Sequence, residues 1–564
     1  MINIIDDIKL EIRETIKKAI IKSQENGLLP AVEIPEINIE IPREKEHGEF
    51  SSNIAMQITR LVKKPPRQTA EIIINNMELD DSNIAKVECA GPGFMNFYLS
   101  RKWLSQTLKN IQKEKEDYGK SDIGKGQKVM VEFVSANPTG PLHMGNARGG
   151  ALGDCIASVL EASGYKVHRE FYINDAGNQI EKFALSLEAR YIQLLKGEEA
   201  VAFPEDGYHG EDIIEHMKDF IALHGDKYLN VNQEERRKEF VKFALERNLK
   251  RIKSDLENYG IKFDTWFSEQ SLYDSNEIYD TLDFLRSRGY LMEKDGATWL
   301  IGEKLGLEKD EVLVRNNGIP TYFASDIAYH KNKFLIRGFD RVINLWGADH
   351  HGHVARMKAA VGALGVDPKK LDIVLFQLVR LYRNGEIVRM SKRTGKAISL
   401  GDLLEEVGQD AARFFFNMKA AGSHLDFDLD LAVQQSNENP VYYVQYAHAR
   451  ICSMLKLLLE DGIQVPSAEE VNLELLQEKE EIELIKKLAE LPEEVKISAE
   501  TLEPSRLTRY VMEVSSLFHS FYNACRVRGV EEDLMKARLV LVECTRIVIR
   551  NTLDLLKITA PERM

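Results

Sequence analysis

The chain has 564 residues, of which 44% are hydrophobic and 29% are charged. This composition excludes a disordered or fibrous protein and predicts several domains of about 100 to 200 residues each. The net charge of -14 argues against a uniformly basic nucleic-acid-binding chain, because phosphate contacts require Lys and Arg. We find no apolar run long enough for a membrane span or a secretory signal, and the five cysteines form no CxxC pair. We therefore expect a cytoplasmic protein with no membrane partner, no disulfide framework and no structural zinc.

Residues 1–117 are predicted to form a small α+β domain. The pattern indicates an N-terminal helix, short strands in VEIPEINIEIP, helices near Ser52 to Leu61 and near Gln68 to Met77, and a strand in FMNFYLS. The charged stretch IQKEKEDYGKSDIGKGQ follows. Its Lys, Gly and Asp content predicts an exposed connection, with the domain boundary near Tyr118.

Residues 118–428 alternate apolar runs with helical patterns. The runs KVMVEFV, KVHREFYI, RVINLWG and DIVLFQLV predict strands of a parallel, doubly wound, Rossmann-like sheet. A charged, mostly helical stretch at about 178–267 interrupts this rhythm and is interpreted as an insertion. Residues 429–564 show only helical periodicity and predict an all-α bundle. Basic residues recur in its second half, as either a solvated helix face or a nucleic-acid contact.

The segment VEFVSANPTGPLHMGNARGG places a strand, a turn and a helix in succession. His143, Gly145 and Asn146 fall where the helix begins. Helix N-termini present unpaired N–H groups and the positive end of a dipole, so this position favours an anionic phosphate. The alternative is that Gly and Pro only shape a tight turn between strand and helix.

A second segment, GEIVRMSKRTGKAISL, contributes Met390, Ser391 and Lys392. In this order, the two segments resemble the HIGH and KMSKS signatures of class I aminoacyl-tRNA synthetases, and SANPTGPLHMGN resembles the arginyl form. Asn146 and Arg389 depart from the usual second His and first Lys. The resemblance implies ATP with Mg²⁺ as substrate. Catalysis by His143, Asn146 and Lys392 would rest on positioning and on donors aimed at phosphate charge, without a protein nucleophile.

The segment INLWGADHHGHVARM ends an apolar strand with a cluster of Gly, Asp and His residues. Metal binding is one interpretation, although no Cys lies near. By resemblance to the synthetases, this turn lies at the nucleotide pocket. The ATP-binding candidates are then His143, Gly145, Asn146, Gly347, Asp349, His350, His353, Met390, Ser391 and Lys392.

A site selective for arginine must offer acceptors to a planar, charged fork of donors. In TYFASDIAYHKNKF, Tyr322 and Asp326 are four residues apart on a predicted helix and so share a face. The resemblance implies that these two residues hold the side chain. It also implies that Glu132 and Asn137, at the end of the first strand, bind the guanidinium and α-amino ends of the substrate.

The resemblance extends to the ends of the chain. NENPVYYVQYAHARICSML and ITAPERM resemble parts of the anticodon-binding domain of arginyl-tRNA synthetases, and HGEFSSNIAM and PGFMNFYLS resemble their N-terminal extension. Together these imply arginine activation with ATP and transfer to an arginine tRNA, by a protein expected to be a monomer. Candidate tRNA contacts are Tyr443, His448, Arg450 and Arg546. A class I synthetase for another amino acid and an RNA-binding paralogue without catalysis are the alternatives.

Overall fold

The computed structural model describes residues 3–42, 44–80, 82–388 and 398–564. The first part of the chain forms α1 (Ile4–Glu25), β1 (Phe50–Ser52), α2 (Ile54–Val62), α3 (Pro66–Asn75), β2 (Ile84–Ala90), β3 (Phe94–Leu99) and α4 (Lys102–Glu114). Strand β3 pairs antiparallel with both β1 and β2. Ile8, Ile12, Ile16 and Ile20 lie four residues apart on α1 and are all fully buried, so this single stripe fixes the helix on the domain.

The short strands predicted in VEIPEINIEIP are wrong. Over this described segment only one isolated bridge forms, between Glu40 and Ser51. Pro35 lacks the N–H that a strand ladder needs. The Arg13 side chain donates to the backbone oxygen of Ile37 at 3.1 Å, so α1 satisfies a carbonyl that a neighbouring strand would otherwise use.

The central part of the chain contains the main sheet, two small sheets and the helices around them. Its elements are β4 (Lys128–Glu132), α5 (Met144–Ala162), β5 (Lys166–Ile173), α6 (Asn178–Lys196), α7 (Glu211–His224), α8 (Gln233–Asn258), β6 (Thr265–Ser268), α9 (Gln270–Asp274), α10 (Glu277–Ser287), β7 (Leu291–Lys294), β8 (Ala297–Leu300), β9 (Glu311–Val314), α11 (Tyr322–Lys331), β10 (Arg341–Gly347), α12 (His351–Ala363), β11 (Leu371–Phe376), β12 (Val379–Arg383), β13 (Glu386–Val388), α13 (Leu400–Val407), α14 (Gln409–Asn417) and β14 (Leu425–Asp428).

The main sheet has the strand order β11–β10–β4–β5–β6, and every neighbouring pair is parallel. Val129 and Val131 of β4 face the core that contains α5, whereas Met130 faces the core that contains α11 and α12. Helices therefore cover both faces, and the predicted doubly wound, Rossmann-like sheet is confirmed. The chain order reverses between β4 and β10, and in such sheets ligands bind at the carboxyl ends of the strands at this switch point.

The predicted insertion contains α6, α7 and α8, which have an apolar core of their own. Phe183, Tyr191, Phe220 and Phe240 are members of this cluster. The end of α8 joins the main core, and β6, which begins within the last residues of the predicted insertion, is the edge strand of the main sheet. The helical module therefore returns the chain directly to the sheet.

Two small sheets were not predicted from the sequence. One has the order β7–β8–β9 and the other β13–β12–β14. The run DIVLFQLV, predicted as one strand, forms β11 and β12 with a break at Gln377. The Arg148 side chain donates to the backbone oxygen of Gln377 at 2.7 Å, so this carbonyl is taken by α5 and the strand is interrupted there.

The predicted all-α bundle is confirmed in the described residues after β14. It contains α15 (Leu429–Ala432), α16 (Pro440–Glu460), α17 (Lys479–Leu488), α18 (Leu491–Thr501), α19 (Ser505–Ala524) and α20 (Glu532–Leu555). The prediction of an exposed connection is wrong at Tyr118, which is 3% exposed and donates its hydroxyl to the backbone oxygen of Leu488. Within the described ranges, none of the helices has the length and apolarity to cross a membrane.

Candidate functional site

His143 begins α5 as its N-cap residue. The Gly145 N–H donates to His143 Nδ1 at 3.1 Å, and the His143 N–H donates to Asn146 Oδ1 at 3.1 Å, which forms a capping box. A Cβ added at Gly145 would lie 3.1 Å from the imidazole Cε1, so glycine lets the ring fold back over the helix start. Asn146 thus uses its amide oxygen in the cap and keeps its amide nitrogen as a donor.

The protonation state of His143 follows from this geometry. Burial by surrounding protein lowers the pKa of His143 below its ordinary value, so the ring is neutral at neutral pH. Because Nδ1 accepts a hydrogen bond from the backbone, the ring proton is on Nε2. His143 can therefore donate from Nε2 to an anion held at the start of α5.

The second signature lies largely outside the described residues. Arg389, Met390, Ser391 and Lys392 fall in residues 389–397, which the structure does not describe. The chain that follows them returns beside the first signature: His143 and Ser399 form an antiparallel bridge, and the Leu400 N–H donates to the backbone oxygen of Leu142 at 2.8 Å.

Asp326 and His353, predicted for different subsites, are hydrogen-bonded to each other. The Arg356 guanidinium donates to His353 Nδ1, so the proton on Nε2 faces Asp326 Oδ2 at 3.0 Å. Tyr322 begins α11 and lies one helical turn before Asp326, as predicted. The helix therefore presents a carboxylate and a phenol on the same face, with the carboxylate oriented by a histidine.

Glu269 is a buried acid near Asp326 that accepts few hydrogen bonds from the protein. The sequence pattern did not indicate it as a site residue. It is 2% exposed, and its Oε1 accepts a hydrogen bond from the Ser325 hydroxyl at 3.0 Å. Its Oε2 is buried and has no hydrogen-bond partner among the described residues. A buried carboxylate oxygen without a donor is costly, and a ligand that supplies donors removes that cost. The only sequence signal for Glu269 was its place just after β6, at the carboxyl edge of the sheet.

The end of β5, the turn after it and the start of α6 add further buried polar atoms that lack hydrogen-bond partners. The Tyr172 hydroxyl, Asn174 Oδ1 and Gln179 Oε1 are buried without hydrogen-bond partners in the described part of the chain. A Cβ added at Gly177 in this turn would lie 3.5 Å from the Tyr322 hydroxyl, so the turn packs directly against α11. Most of the unsatisfied groups are acceptors, which suits a ligand rich in N–H donors.

Glu132, at the end of β4, is paired with a buried lysine. Lys333 Nζ lies 2.5 Å from Glu132 Oε2 and 3.0 Å from Asn344 Oδ1, and Lys333 is fully buried. Lys333 belongs to a π-helical turn, Asn332–Ile336, that follows α11. Such turns occur often at functional sites, and here the turn places the ammonium between Glu132 of β4 and Asn344 of β10.

The backbone immediately after Glu132 is strained. Val134 and Ser135 have φ values of 68° and 42°, which are rare for residues with a Cβ and most costly for a β-branched one. The Ser135 hydroxyl donates to Glu132 Oε1 at 3.0 Å and helps to hold this conformation. Asn137 follows in the same turn and is exposed, so its amide is accessible to a ligand.

We expect Lys333→Met to lower the free energy of unfolding by about 3 to 5 kcal/mol, because it leaves the Glu132 carboxylate buried without its cation. Urea denaturation monitored for the catalytic domain measures this loss. The double variant Lys333→Met/Glu132→Gln, which removes both charges, should regain most of it. A single variant as stable as the unmodified protein would show that the pair does not compensate a buried charge.

The remaining predicted nucleotide contacts lie at the end of β10. Gly347 ends the strand, and Asp349 and His350 follow in an exposed turn with His350 Nε2 3.5 Å from Asp349 Oδ2. A Cβ at Gly347 would lie 2.4 Å from Asp349 Oδ1, so a larger residue there would displace the exposed Asp349 side chain. Within the described ranges, no group of three or more His, Cys, Asp or Glu side chains is arranged to hold a metal ion.

The predicted tRNA contacts separate into two sets. Tyr443 and Arg450 lie on α16 and line an open pocket of about 550 Å³. The Arg450 guanidinium is 5.1 Å from the ring centre of Tyr446 and 4.5 Å from that of Tyr522. In contrast, His448 is 1% exposed and bonds the backbone oxygen of Pro561, and Arg546 is paired with Glu543.

Comparison with known proteins agrees with this arrangement. Three family models match: "Arginyl tRNA synthetase N terminal domain" at residues 8–99, "tRNA synthetases class I (R), catalytic domain" at 107–434 and "DALR anticodon binding domain" at 444–564. The arginine–tRNA ligases of Ruminiclostridium cellulolyticum and Acetivibrio thermocellus are 71% and 69% identical over 564 residues, covering 100% of both chains in each comparison. The Thermus thermophilus arginyl-tRNA synthetase structure shares the fold, with a TM-score of 0.72 at 21% identity over 98% of this chain and 100% of that chain. The chain therefore belongs to the arginyl-tRNA synthetase family of class I aminoacyl-tRNA synthetases.

Proposed function

We propose that the arginine–tRNA ligase activity of this family member depends on two groups of residues at the switch point of the main sheet. One group, around His143 and Lys392, acts on the triphosphate of ATP, and the other, around Asp326 and Glu269, holds the guanidinium. The observation that carries this proposal is the set of buried acceptors beside α11, which suits a ligand with many donors.

In the first step, a carboxylate oxygen of arginine attacks the α-phosphorus of ATP, and the bond to pyrophosphate breaks. Negative charge builds on the phosphates, and donors preorganised toward that charge lower the barrier. The His143 Nε2–H, the Asn146 amide nitrogen and the N-terminus of α5 supply such donors on one side. We assign the corresponding role on the other side to Lys392.

ATP brings its Mg²⁺ to the site, and the ion offsets phosphate charge. Oxygen ligands from phosphates and water suit Mg²⁺, which usually needs only one or two protein carboxylates.

The guanidinium is assigned to Asp326, Glu269 and Tyr322. Two carboxylates and a phenol match the forked donors of arginine, whereas the single ammonium of lysine would leave acceptors unsatisfied. The sequence resemblance assigned Glu132 and Asn137 to the guanidinium and α-amino ends of the substrate. We keep Asn137 at the α-amino end and move Glu132 to the nearby part of the substrate, because its carboxylate is already paired with Lys333. The Lys333 ammonium offsets part of the Glu132 charge, so this end of the pocket is less negative than the end at Glu269.

In the second step, a hydroxyl of the 3'-terminal adenosine attacks the arginyl carbonyl, and AMP leaves. A charging assay tests the whole proposal: the purified chain with ATP and arginine tRNA should attach arginine and should not attach lysine, citrulline or glutamate. Binding of tRNA without any charging would instead support an RNA-binding paralogue that has lost catalysis.

The pocket on α16 and α19 is proposed as a contact for unstacked anticodon-loop bases. Its lining includes Tyr442, Tyr443, Tyr446, Arg450 and His519. Aromatic rings and guanidinium planes stack on bases that are splayed out of a loop, and each such contact is worth about 1 to 3 kcal/mol. His448 and Arg546 are not assigned to this contact because the first is buried and the second is paired with Glu543. The N-terminal domain is proposed to contact the tRNA elbow.

We expect Arg450→Ala to raise the KM for tRNA by about 5- to 150-fold, the equivalent of 1 to 3 kcal/mol, because a stacking surface and a cation are lost. The KM for arginine, measured in the same charging assay, should change less than about twofold. Arg286→Ala offers a matched control, since that guanidinium is 50% exposed, is paired with Asp283 and lies in the catalytic domain. Equal effects of the two substitutions on the KM for tRNA would count against a specific base contact at Arg450.

We also propose that the chain acts in the cytoplasm as a monomer. All five cysteines are free in the structure, as is usual in a reducing compartment. Light scattering on the purified chain tests the oligomeric state: a mass near 64.3 kDa supports the monomer, and twice that mass contradicts it.

A further inference from the structure

Glu269 lies in a place where a charged carboxylate is poorly stabilised. Residues from four neighbouring segments face it. Tyr172 approaches from β5, Asp175 from the turn before α6, Tyr273 from α9, and Ser325 with Asp326 from α11. Two of these neighbours carry negative charge and none is a cation, and no ion pair to Glu269 forms within the described ranges.

The neighbouring carboxylates of Asp326 and Asp175 accept more hydrogen bonds, or stronger ones, than the carboxyl group of Glu269 does. Asp326 Oδ2 receives a hydrogen bond from His353 at 3.0 Å. Asp175 receives one from the Ser268 hydroxyl at 2.6 Å and one from the Gln270 N–H at 2.9 Å. Among the described residues Glu269 has only neutral hydroxyl donors: Ser325 bonds its Oε1 at 3.0 Å, and the Tyr172 hydroxyl lies near the buried Oε2 without forming a hydrogen bond of good geometry. A buried acid in this situation favours its neutral form.

We infer that, below neutral pH, Glu269 carries a proton in the arginine-free enzyme and releases it to solvent when the arginine guanidinium binds. This inference rests on the proposed arginine site and adds a proton to its binding equilibrium. One proton leaves a Glu269 oxygen for solvent, and the resulting carboxylate pairs with the guanidinium. No other bond changes.

The pH dependence follows from the sign of this exchange. Burial is the main cause that raises the pKa of Glu269 to about 7. The hydroxyls of Ser325 and Tyr172 oppose this rise, and the charges of Asp326 and Asp175 add to it. Below pH 7 the proton must be removed before the guanidinium can pair with the carboxylate. Arginine therefore binds more weakly as the pH falls through 7, by about tenfold for each further unit, and its affinity is constant above about pH 8.

The same proton exchange makes the affinity of the site depend on whether the ligand carries a positive charge. Citrulline has the shape of arginine but no positive charge, so it does not favour the ionised form of Glu269. Its affinity should not rise between pH 6 and pH 8, whereas that of arginine should. The preference for arginine over citrulline is then expected to be about tenfold greater at pH 8 than at pH 6.

Isothermal titration of arginine into the full chain saturated with an arginine tRNA tests the inference. Titrations in phosphate and in imidazole, which both buffer between pH 6 and pH 8 and differ in ionisation enthalpy, measure the protons released. We expect about 0.9 proton per arginine at pH 6, about 0.5 at pH 7 and about 0.1 at pH 8, with an apparent Kd about tenfold larger at pH 6 than at pH 8. Glu269→Gln should abolish the release and the pH dependence. Glu303→Gln, at an exposed position, should retain both.

The outcomes separate this inference from the proposed site. If arginine binds but releases no proton at pH 6, or if Glu269→Gln releases as many protons as the unmodified chain, the inference is overturned and the site stands. If arginine does not bind at any pH, the proposed arginine site fails together with the inference.

Discussion

Replacement of Asp326 by Ala should raise the KM for arginine by about 30- to 150-fold, while the KM for ATP should change less than about threefold. The physical reason is the loss of a charge-assisted hydrogen bond to the guanidinium. Truncating one partner of such a pair costs about 2 to 5 kcal/mol when both charges are buried. The Asp326 side chain is 34% exposed, so the lower part of that range, about 2 to 3 kcal/mol, applies here.

The matched control for this prediction is Asp283→Ala. Asp283 is also an acid on a helix of the catalytic domain, but its side chain is 75% exposed and pairs only with surface arginine Arg286. Steady-state charging kinetics with each substrate varied in turn provide the measurement. Parallel increases in both KM values for Asp326→Ala would show that the residue supports the fold rather than the arginine.

The second large effect is expected at Lys392. Lys392→Ala should slow adenylate formation at saturating substrates by about 100- to 1000-fold, the usual cost of removing one donor from a developing negative charge. The KM for arginine should be nearly unchanged, because the proposed role lies in the transition state. Single-turnover release of pyrophosphate, with tRNA present throughout, measures this step.

Lys369→Ala, at an exposed position after α12, serves as the control and should react at the unmodified rate. An unchanged rate for Lys392→Ala together with a higher KM for ATP would mean that the lysine binds ATP equally in the ground state and the transition state. The role assigned to it here would then be wrong.

The sequence was sufficient for the elements that depend on local pattern. The strands β4, β5 and β10 and the helix α5 follow from apolar runs and from the Pro- and Gly-rich turn between them. The parallel order also followed, because alternating strands and helices permit few other arrangements. His143 could be placed at the helix start because capping is a local interaction.

Features fixed by distant contacts could not be predicted in this way. Glu269 stands out only because Ser325 and the turn after β5 enclose it, and nothing in its own segment indicates that burial. The pairing of Asp326 with His353 joins residues from two motifs that the sequence assigned to different ligands. The strand prediction for the extended segment after α1 was wrong, because the Arg13 side chain donates to the Ile37 backbone oxygen in that segment.

The pairing of Lys333 with Glu132 was also hidden. The sequence showed Glu132 as an acid at a strand end and gave no reason to select Lys333, which reaches it only through a π-helical turn. Such a turn shifts the side chains that follow it relative to an α-helix, so helical spacing counted from Tyr322 gives the wrong direction for Lys333.

The central claim is that one cavity at the switch point holds both the triphosphate and the guanidinium. A crystal structure of the chain with arginine, a non-hydrolysable ATP analogue and tRNA tests it most directly. We expect the guanidinium within hydrogen-bonding distance of Asp326 and Glu269, and the phosphates between His143 Nε2 and Lys392 Nζ. Phosphates contacted by only one of these two donors, or a guanidinium bound away from α11, would contradict the claim.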